Sequence, residues 1–434
     1  MLKAGVAKAL ITPSKGVEMA GYGMYLNRRV KGVHDDLYAK ALLLDDGKNK
    51  VMLISCDIIG FDGEFVAECR KLICKKIDIE SGNIMISATH THSGPATGRS
   101  RGWGVRDEKY MKYFRDQVVK TAVKAEKNMK PAKLGMGKGK ADIGYNRTGK
   151  VTVTHDEEHK VDDSHYSTAQ AKDYDKTLLV IKITDLKNKE IALLYNYGVH
   201  AVLMGEDNYL VSADWPGYTA AKIEKKTKGF GMFLQGFCGD VDVKFNCTSS
   251  FEKARIFGEQ VADEVLKVSR KIKMKTDAEI KVLSRLSKLP VDIPDKTDIK
   301  RTLRLFAKQA KEPKWKRFLS SWAKDVSSAI KMNPLPYSAV EVSAVSLAKD
   351  IFIVTVPAEL YTKWGLKIKA LSKVKNTLVV CYANGDIGYI PDQKDFDRKD
   401  YASYVAPMAG GGFRFKRNVG EVFISEINKL LKMK

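Results

Sequence analysis

Residues 86–95 read Ile-Ser-Ala-Thr-His-Thr-His-Ser-Gly-Pro and place His90 and His92 one residue apart, directly after the apolar run Ile84-Met85-Ile86. In an extended chain residues i and i+2 face the same way, so both imidazoles can address one point, which is how a zinc site begins. Ser93-Gly94-Pro95 forces a turn, and the pair therefore sits in a loop at the carboxyl end of a strand, where open α/β sheets place their ligands. Other strand ends carry residues of matching chemistry. His200 closes the run Ile191–Tyr197 and is a candidate third ligand. Glu359 follows the run Ile351–Val356 and enters a helix, where it is either a charge favoured by the helix dipole or the oxygen ligand of a mixed His/Glu zinc site. The run Phe233 to Asp242 ends in a glycine-bracketed turn with carboxylates at Asp240 and Asp242, a place where backbone must approach something closely, and Asp214 occupies another short loop.

The elements that must hold these residues alternate. Apolar runs predict strands at 51–56, 83–87, 178–183, 191–197, 231–236, 339–347, 351–356 and 378–383. Helical spacing predicts helices near 64–75, 108–129, 251–270, 360–371 and 420–431. Strand, helix, strand over 51–87 implies a parallel pair with a crossover. The class is α/β, with mixed, largely parallel sheets flanked by helices and a metal site at strand carboxyl ends. No Gly/Ser/Pro linker and no internal repeat divides the chain, so 1–434 is expected to form one catalytic domain. Within it, 298–331 reads as a basic amphipathic helical insertion whose apolar stripe faces a core.

Composition limits the choices. Of 434 residues 44% are hydrophobic, enough for a substantial core, and no apolar stretch reaches the ~20 residues of a membrane span. The first thirteen residues are interrupted by Lys8 and lack a small-residue cleavage site, so a cytoplasmic location is expected. Six cysteines without C-x-x-C spacing read as buried, reduced thiols. The net charge of +23 raises polyanions and anionic membranes as partners. The lysines are scattered without a nucleic-acid motif, which speaks against a specific nucleic-acid partner. The segment 151–172, with His155, His159 and His165 among many charges, reads as a solvated insertion.

The segments Ser87–Pro95, Tyr145-Asn146-Arg147, Val211–Tyr218, Gly239-Asp240-Val241, Val356–Glu359 and Gly388-Tyr389, with Tyr401 twelve positions on, occur in an order that resembles the neutral, non-lysosomal ceramidases. The resemblance covers nearly the whole chain, and its Ala-Thr-His-Thr-His-Ser-Gly-Pro run is its most specific part. It implies an α/β catalytic domain carrying one Zn²⁺ that cleaves the amide of N-acyl sphingoid bases. It further implies that His90, His200, Glu359 and Tyr389 are the metal ligands, with His92, Arg147 and Tyr401 around the scissile amide. Spacing alone would have made both His90 and His92 ligands. Two departures matter. Asp242 stands where the resemblance leads one to expect a serine, and the additional β-sandwich of longer ceramidases is not expected to be part of this domain. Both weaken ceramide as substrate more than they weaken zinc-dependent amide hydrolysis. An amidase acting on another small amide or acylated sugar, and an inactive metal-binding relative, stand as alternatives.

Overall fold

The apolar runs settle into two facing sheets in the computed structural model, which describes residues 1–148, 174–374 and 376–433. His155, His159 and His165, in the segment expected to be a solvated insertion, lie outside the described residues. The larger sheet holds eight strands: β1 (Lys3–Leu10), β2 (Tyr38–Asp45), β3 (Lys50–Cys56), β4 (Ile84–Ala88), β5 (Lys130–Lys140), β6 (Thr177–Asp185), β7 (Glu190–Tyr197) and β8 (Phe230–Gln235). Their spatial order is β8-β7-β6-β5-β1-β2-β3-β4. The smaller sheet runs β12 (Thr377–Val380), β11 (Ile351–Thr355), β10 (Tyr337–Ala348), β9 (Lys281–Asp292), with Arg414–Phe415 at its edge.

Alternate residues of both sheets meet in one buried cluster, among them Leu42, Leu53, Ile181, Leu194 and Met232 from the larger and Val345, Leu347, Ile353 and Leu378 from the smaller. The opposite face of the larger sheet is covered by helices. Met52, Ile54 and Ile86 pack with Phe65 of α1 (Gly63–Cys74) and Phe114 and Val118 of α2 (Glu108–Lys127). Val180, Leu193 and Tyr195 pack with Trp215 of α3 (Asp214–Thr227) and Val261 of α4 (Phe251–Ser269). Each such side chain taken fully out of water contributes roughly 1.5–3 kcal/mol, so burial between layers fixes strand register more firmly than local propensity does. The helices start where side chains can satisfy their first N–H groups: Asp62 accepts from Phe65 N and Asp107 from Tyr110 N, each at 2.9 Å.

The basic segment forms two helices, α5 (Lys296–Leu305), opened by a capping box between Asp295 and Asp298, and α6 (Pro313–Lys331). Its apolar stripe is core, as expected: Ile299, Phe306, Phe318, Trp322 and Val326 close over Met24 and Met408. The outer face of the smaller sheet is covered by α7 (Thr362–Leu371) and α8 (Val419–Lys432), through Trp364, Ile368, Phe423 and Ile427. All six cysteines are free thiols, four of them buried. Among the described residues no helix is long and apolar enough to cross a membrane.

The expectation of largely parallel sheets is corrected: in the larger sheet only β3 with β4 and β7 with β8 run parallel, and in the smaller only β11 with β12. The other pairs are antiparallel. The sequence reading omitted β1, β2, β5 and β9, and each of these pairs antiparallel with its neighbours. Short connections such as 186–189 between β6 and β7 admit only a hairpin, whereas a helix intervenes in each parallel pair. Those three strand-helix-strand units point their carboxyl ends to one place. There Gln235 Nε2 donates to Thr89 O and Val199 O, Cys381 N donates to Gln235 O at 2.9 Å, and Ala88 N donates to Tyr382 O at 3.1 Å, stitching the two sheets together.

Candidate metal centre

His90 lies two residues beyond β4, His200 three beyond β7, Glu359 four beyond β11, and all three are buried. His90 sits at φ +64°, a left-handed conformation rare for a side chain of this size, and its N–H is held by Ile58 O at 2.9 Å. The sharp turn swings its ring back over the strand ends. His90 Nδ1 is 2.6 Å from Ile59 O and His200 Nδ1 is 3.0 Å from Val241 O. A carbonyl oxygen can only accept, so both rings are protonated at Nδ1 and turn Nε2 inward, bare in His90, the second-shell arrangement that orients histidines toward a metal.

The inward atoms converge. Glu359 Oε2 is 3.3 Å from His200 Nε2 and 3.6 Å from His90 Nε2. The ligand atoms of His90, His92 and His200 lie within 4.8 Å of one another. Two lone pairs 3.3 Å apart must share a proton or a cation, so the donor set fits a divalent metal. Burial alone would raise the Glu359 carboxyl, but His90, the hydrogen bond from His200 and the phenol of Tyr389 hold it down at about 2. Burial, only partly offset by Glu359, pushes His90 down to about 4. Burial opposes charge on His200 as well, yet Cys238 and Glu359 leave it well above its ordinary value, consistent with the proton it shares with Glu359.

The remaining expected residues surround this core. Tyr389 pairs in register with Glu359 and accepts from Arg147 Nη2 at 3.0 Å. Arg147 also donates to Gly239 O at 2.9 Å and to Asp242 Oδ1 at 3.1 Å, while Asn246 donates to Asp242 at 2.9 Å. Asp242 is thus the carboxylate that fixes Arg147. His92 Nε2 lies 3.1 Å from the bare Nε2 of His90 and so carries its own proton there, while His92 Nδ1 is buried without a partner. The ring of Tyr401 stands 5.8 Å from that of Tyr389. Of the two loop carboxylates singled out beside Asp242, Asp240 accepts from Thr362 and Asn146, and Asp214 accepts from the backbone N–H groups of Leu203, Met204 and Trp215. Both brace loops.

Sequence reasoning missed Tyr382. It lies two residues beyond β12, stacks on His90 at 3.9 Å and donates to Glu359 Oε2 at 3.2 Å. Its place, two residues after a strand end like that of His90, was the available signal. The centre opens into a cleft of about 670 Å³ whose walls include His90, His92, Glu359, Tyr389 and Tyr401, with Phe61, Trp103, Leu335, Tyr337, Phe413 and Phe415 making much of it apolar.

Residues 2–260 match the family model described as neutral/alkaline non-lysosomal ceramidase, N-terminal. The chain is similar to the neutral ceramidase of Drosophila pseudoobscura pseudoobscura, 27% identical over 265 residues that make up 55% of this chain and 36% of that protein. With neutral ceramidase A of Dictyostelium discoideum it shares 28% over 227 residues, 50% and 31% of the two chains. With the neutral ceramidase of Pseudomonas aeruginosa it shares 23% over 262 residues, 56% and 37%. The chain thus spans about a third of the length of these relatives. The crystal structure of the Pseudomonas aeruginosa neutral ceramidase has the same fold, with a TM-score of 0.75 at 16% identity over 99% of this chain and 74% of that one.

Proposed function

Because this chain belongs to the neutral/alkaline non-lysosomal ceramidase family, we propose that it is a zinc-dependent amide hydrolase that cleaves the N-acyl bond of ceramide or a related lipid amide. One observation carries this reading: two imidazoles fixed at Nδ1 and a carboxylate held at about 2 converge at the end of a largely apolar cleft. His90, His200, Glu359 and Tyr389 would hold the metal. Zinc, when bound, supplies Lewis acidity, polarising an amide carbonyl and lowering the pKa of water toward ~7.

The protein's own groups do the rest. Arg147, anchored by Asp242 and Gly239, and Tyr401 donate hydrogen bonds where the carbonyl oxygen gains charge. Losing one such donor typically costs ~10²–10³ in rate. His92, half-buried and bearing a proton on Nε2, would take up the proton released as water adds to the carbonyl carbon and deliver one to the departing amine as the C–N bond breaks, returning to its neutral form. Phe61, Trp103 and Phe413 exclude water from an acyl or sphingoid chain. Asp242, where the resemblance leads one to expect serine, favours a second reading in which the same chemistry acts on an amide other than ceramide.

Turnover of a fluorescent N-acylsphingosine in detergent at neutral pH distinguishes the two. Release of fatty acid and sphingoid base supports the first reading. Turnover only of short N-acyl amines or acylated amino sugars supports the second.

A further inference from the structure

The outer face of α5 and α6 is strongly one-sided in charge. Residues 296–331 hold eleven Lys and Arg against three Asp and Glu, and all eleven are exposed. Only Asp298 with Arg301 and Asp325 with Arg101 draw these acids into ion pairs among the described residues, so Lys308, Lys311, Lys314 and Lys316 face solvent without a carboxylate within 4 Å. Beside this basic face the chain leaves α6 through Met332, 83% exposed, and Leu335, 62% exposed. Leu335 and Pro334 also line the mouth of the cleft that ends at His90 and Glu359.

A basic field with apolar side chains standing out of it suits an anionic bilayer, since lysines reach the headgroups while Met332 and Leu335 enter the acyl boundary. A nucleic acid would leave those apolar side chains without a partner. We propose that α5, α6 and the 332–335 loop dock the protein on anionic lipid surfaces and turn the cleft mouth toward the bilayer. The purpose assigned to this surface rests on the lipid-amide reading above, but the docking itself can be measured without turnover.

The test is co-sedimentation of the full chain with vesicles of phosphatidylcholine alone or mixed with phosphatidylglycerol. Binding is expected to the mixed vesicles only and to vanish at high salt. Replacing Lys308, Lys311 and Lys314 together by Gln should weaken it roughly a hundredfold, at about 1 kcal/mol per basic residue near the surface. Met332→Ser should weaken it at constant salt dependence. Hydrolysis of micellar substrate should be unchanged in both variants, and His90→Ala should bind vesicles normally, so failure of the activity reading leaves this result intact. Equal binding to neutral and anionic vesicles, parental binding by the triple variant, or retention on random duplex DNA but not on vesicles would overturn the proposal.

Discussion

Tyr382→Phe perturbs the centre at one atom. The ring and its 3.9 Å stack on His90 survive, and only the hydroxyl that donates to Glu359 Oε2 at 3.2 Å is lost, along with its contact to Cys238 Sγ at 3.2 Å. A hydrogen bond to an ionised carboxylate is worth ~1.5–3 kcal/mol, and second-shell partners of metal ligands typically account for 10–100-fold in affinity. Glu359 would still receive Tyr389 and face His200, but its carboxylate would be free to rotate away from the two inward Nε2 atoms. Competition titration against a chromophoric zinc chelator should therefore give a Kd raised roughly 10–100-fold. The metal-free protein should lose ~1.5–3 kcal/mol of unfolding free energy from the missing bond, with no added cavity cost since the ring stays in place. A Kd within twofold of the parent would refute the reasoning, because Glu359 would then be oriented by other means.

Arg147→Ala should lower kcat by ~10²–10³ while zinc content stays one per chain. Asp242→Asn should show a smaller loss in the same direction, because Arg147 keeps its bond to Gly239 O. Both are checked by steady-state kinetics with metal analysis. Gly21 lies at φ +105° and a Cβ there would meet His92 Cβ at 2.6 Å, so Gly21→Ala should displace His92. The rate should fall about 100-fold with metal retained; loss of metal instead would make His92 a ligand. For the metal-free protein, His90 at about 4 lies below the 6.5 of an unfolded histidine, so the unfolded chain takes up that proton first as pH falls. The stability it contributes is complete above about pH 6.5 and lost progressively toward pH 4. Urea unfolding should show about 2 kcal/mol less contribution from this group at pH 5 than at pH 7. That slope should flatten in His90→Ala; an unchanged slope would place the titration elsewhere.

Much of the site was legible because its residues follow strands that announce themselves. Apolar runs in front of His90, His200 and Glu359 are continuous, as strands buried on both faces must be, and the helices between them have clear periodicity. The antiparallel share of the sheets was hidden for the opposite reason. Lys130–Lys140 alternates glycine with Met and Lys over 135–140, and Lys281–Asp292 is buried only at Ser287, Leu289 and Val291, so neither reads as a core strand alone. Tyr382 and Gln235 were hidden because their partners lie far off in sequence, Glu359 and His90 for one, Thr89 and Val199 for the other. The left-handed turn at His90, which leaves its Nε2 3.1 Å from that of His92, has no sign in the spacing.

The central claim, a zinc-dependent amide hydrolase built on His90, His200 and Glu359, is tested most directly by measuring N-acylsphingosine hydrolysis and bound zinc together. The comparison is between the purified protein, the chelated protein, the protein reloaded with zinc, and His90→Ala. One zinc per chain, activity lost on chelation and restored on reloading, and both zinc and turnover lost in His90→Ala are the predicted results. Undiminished hydrolysis in the chelated protein or in His90→Ala would contradict the account.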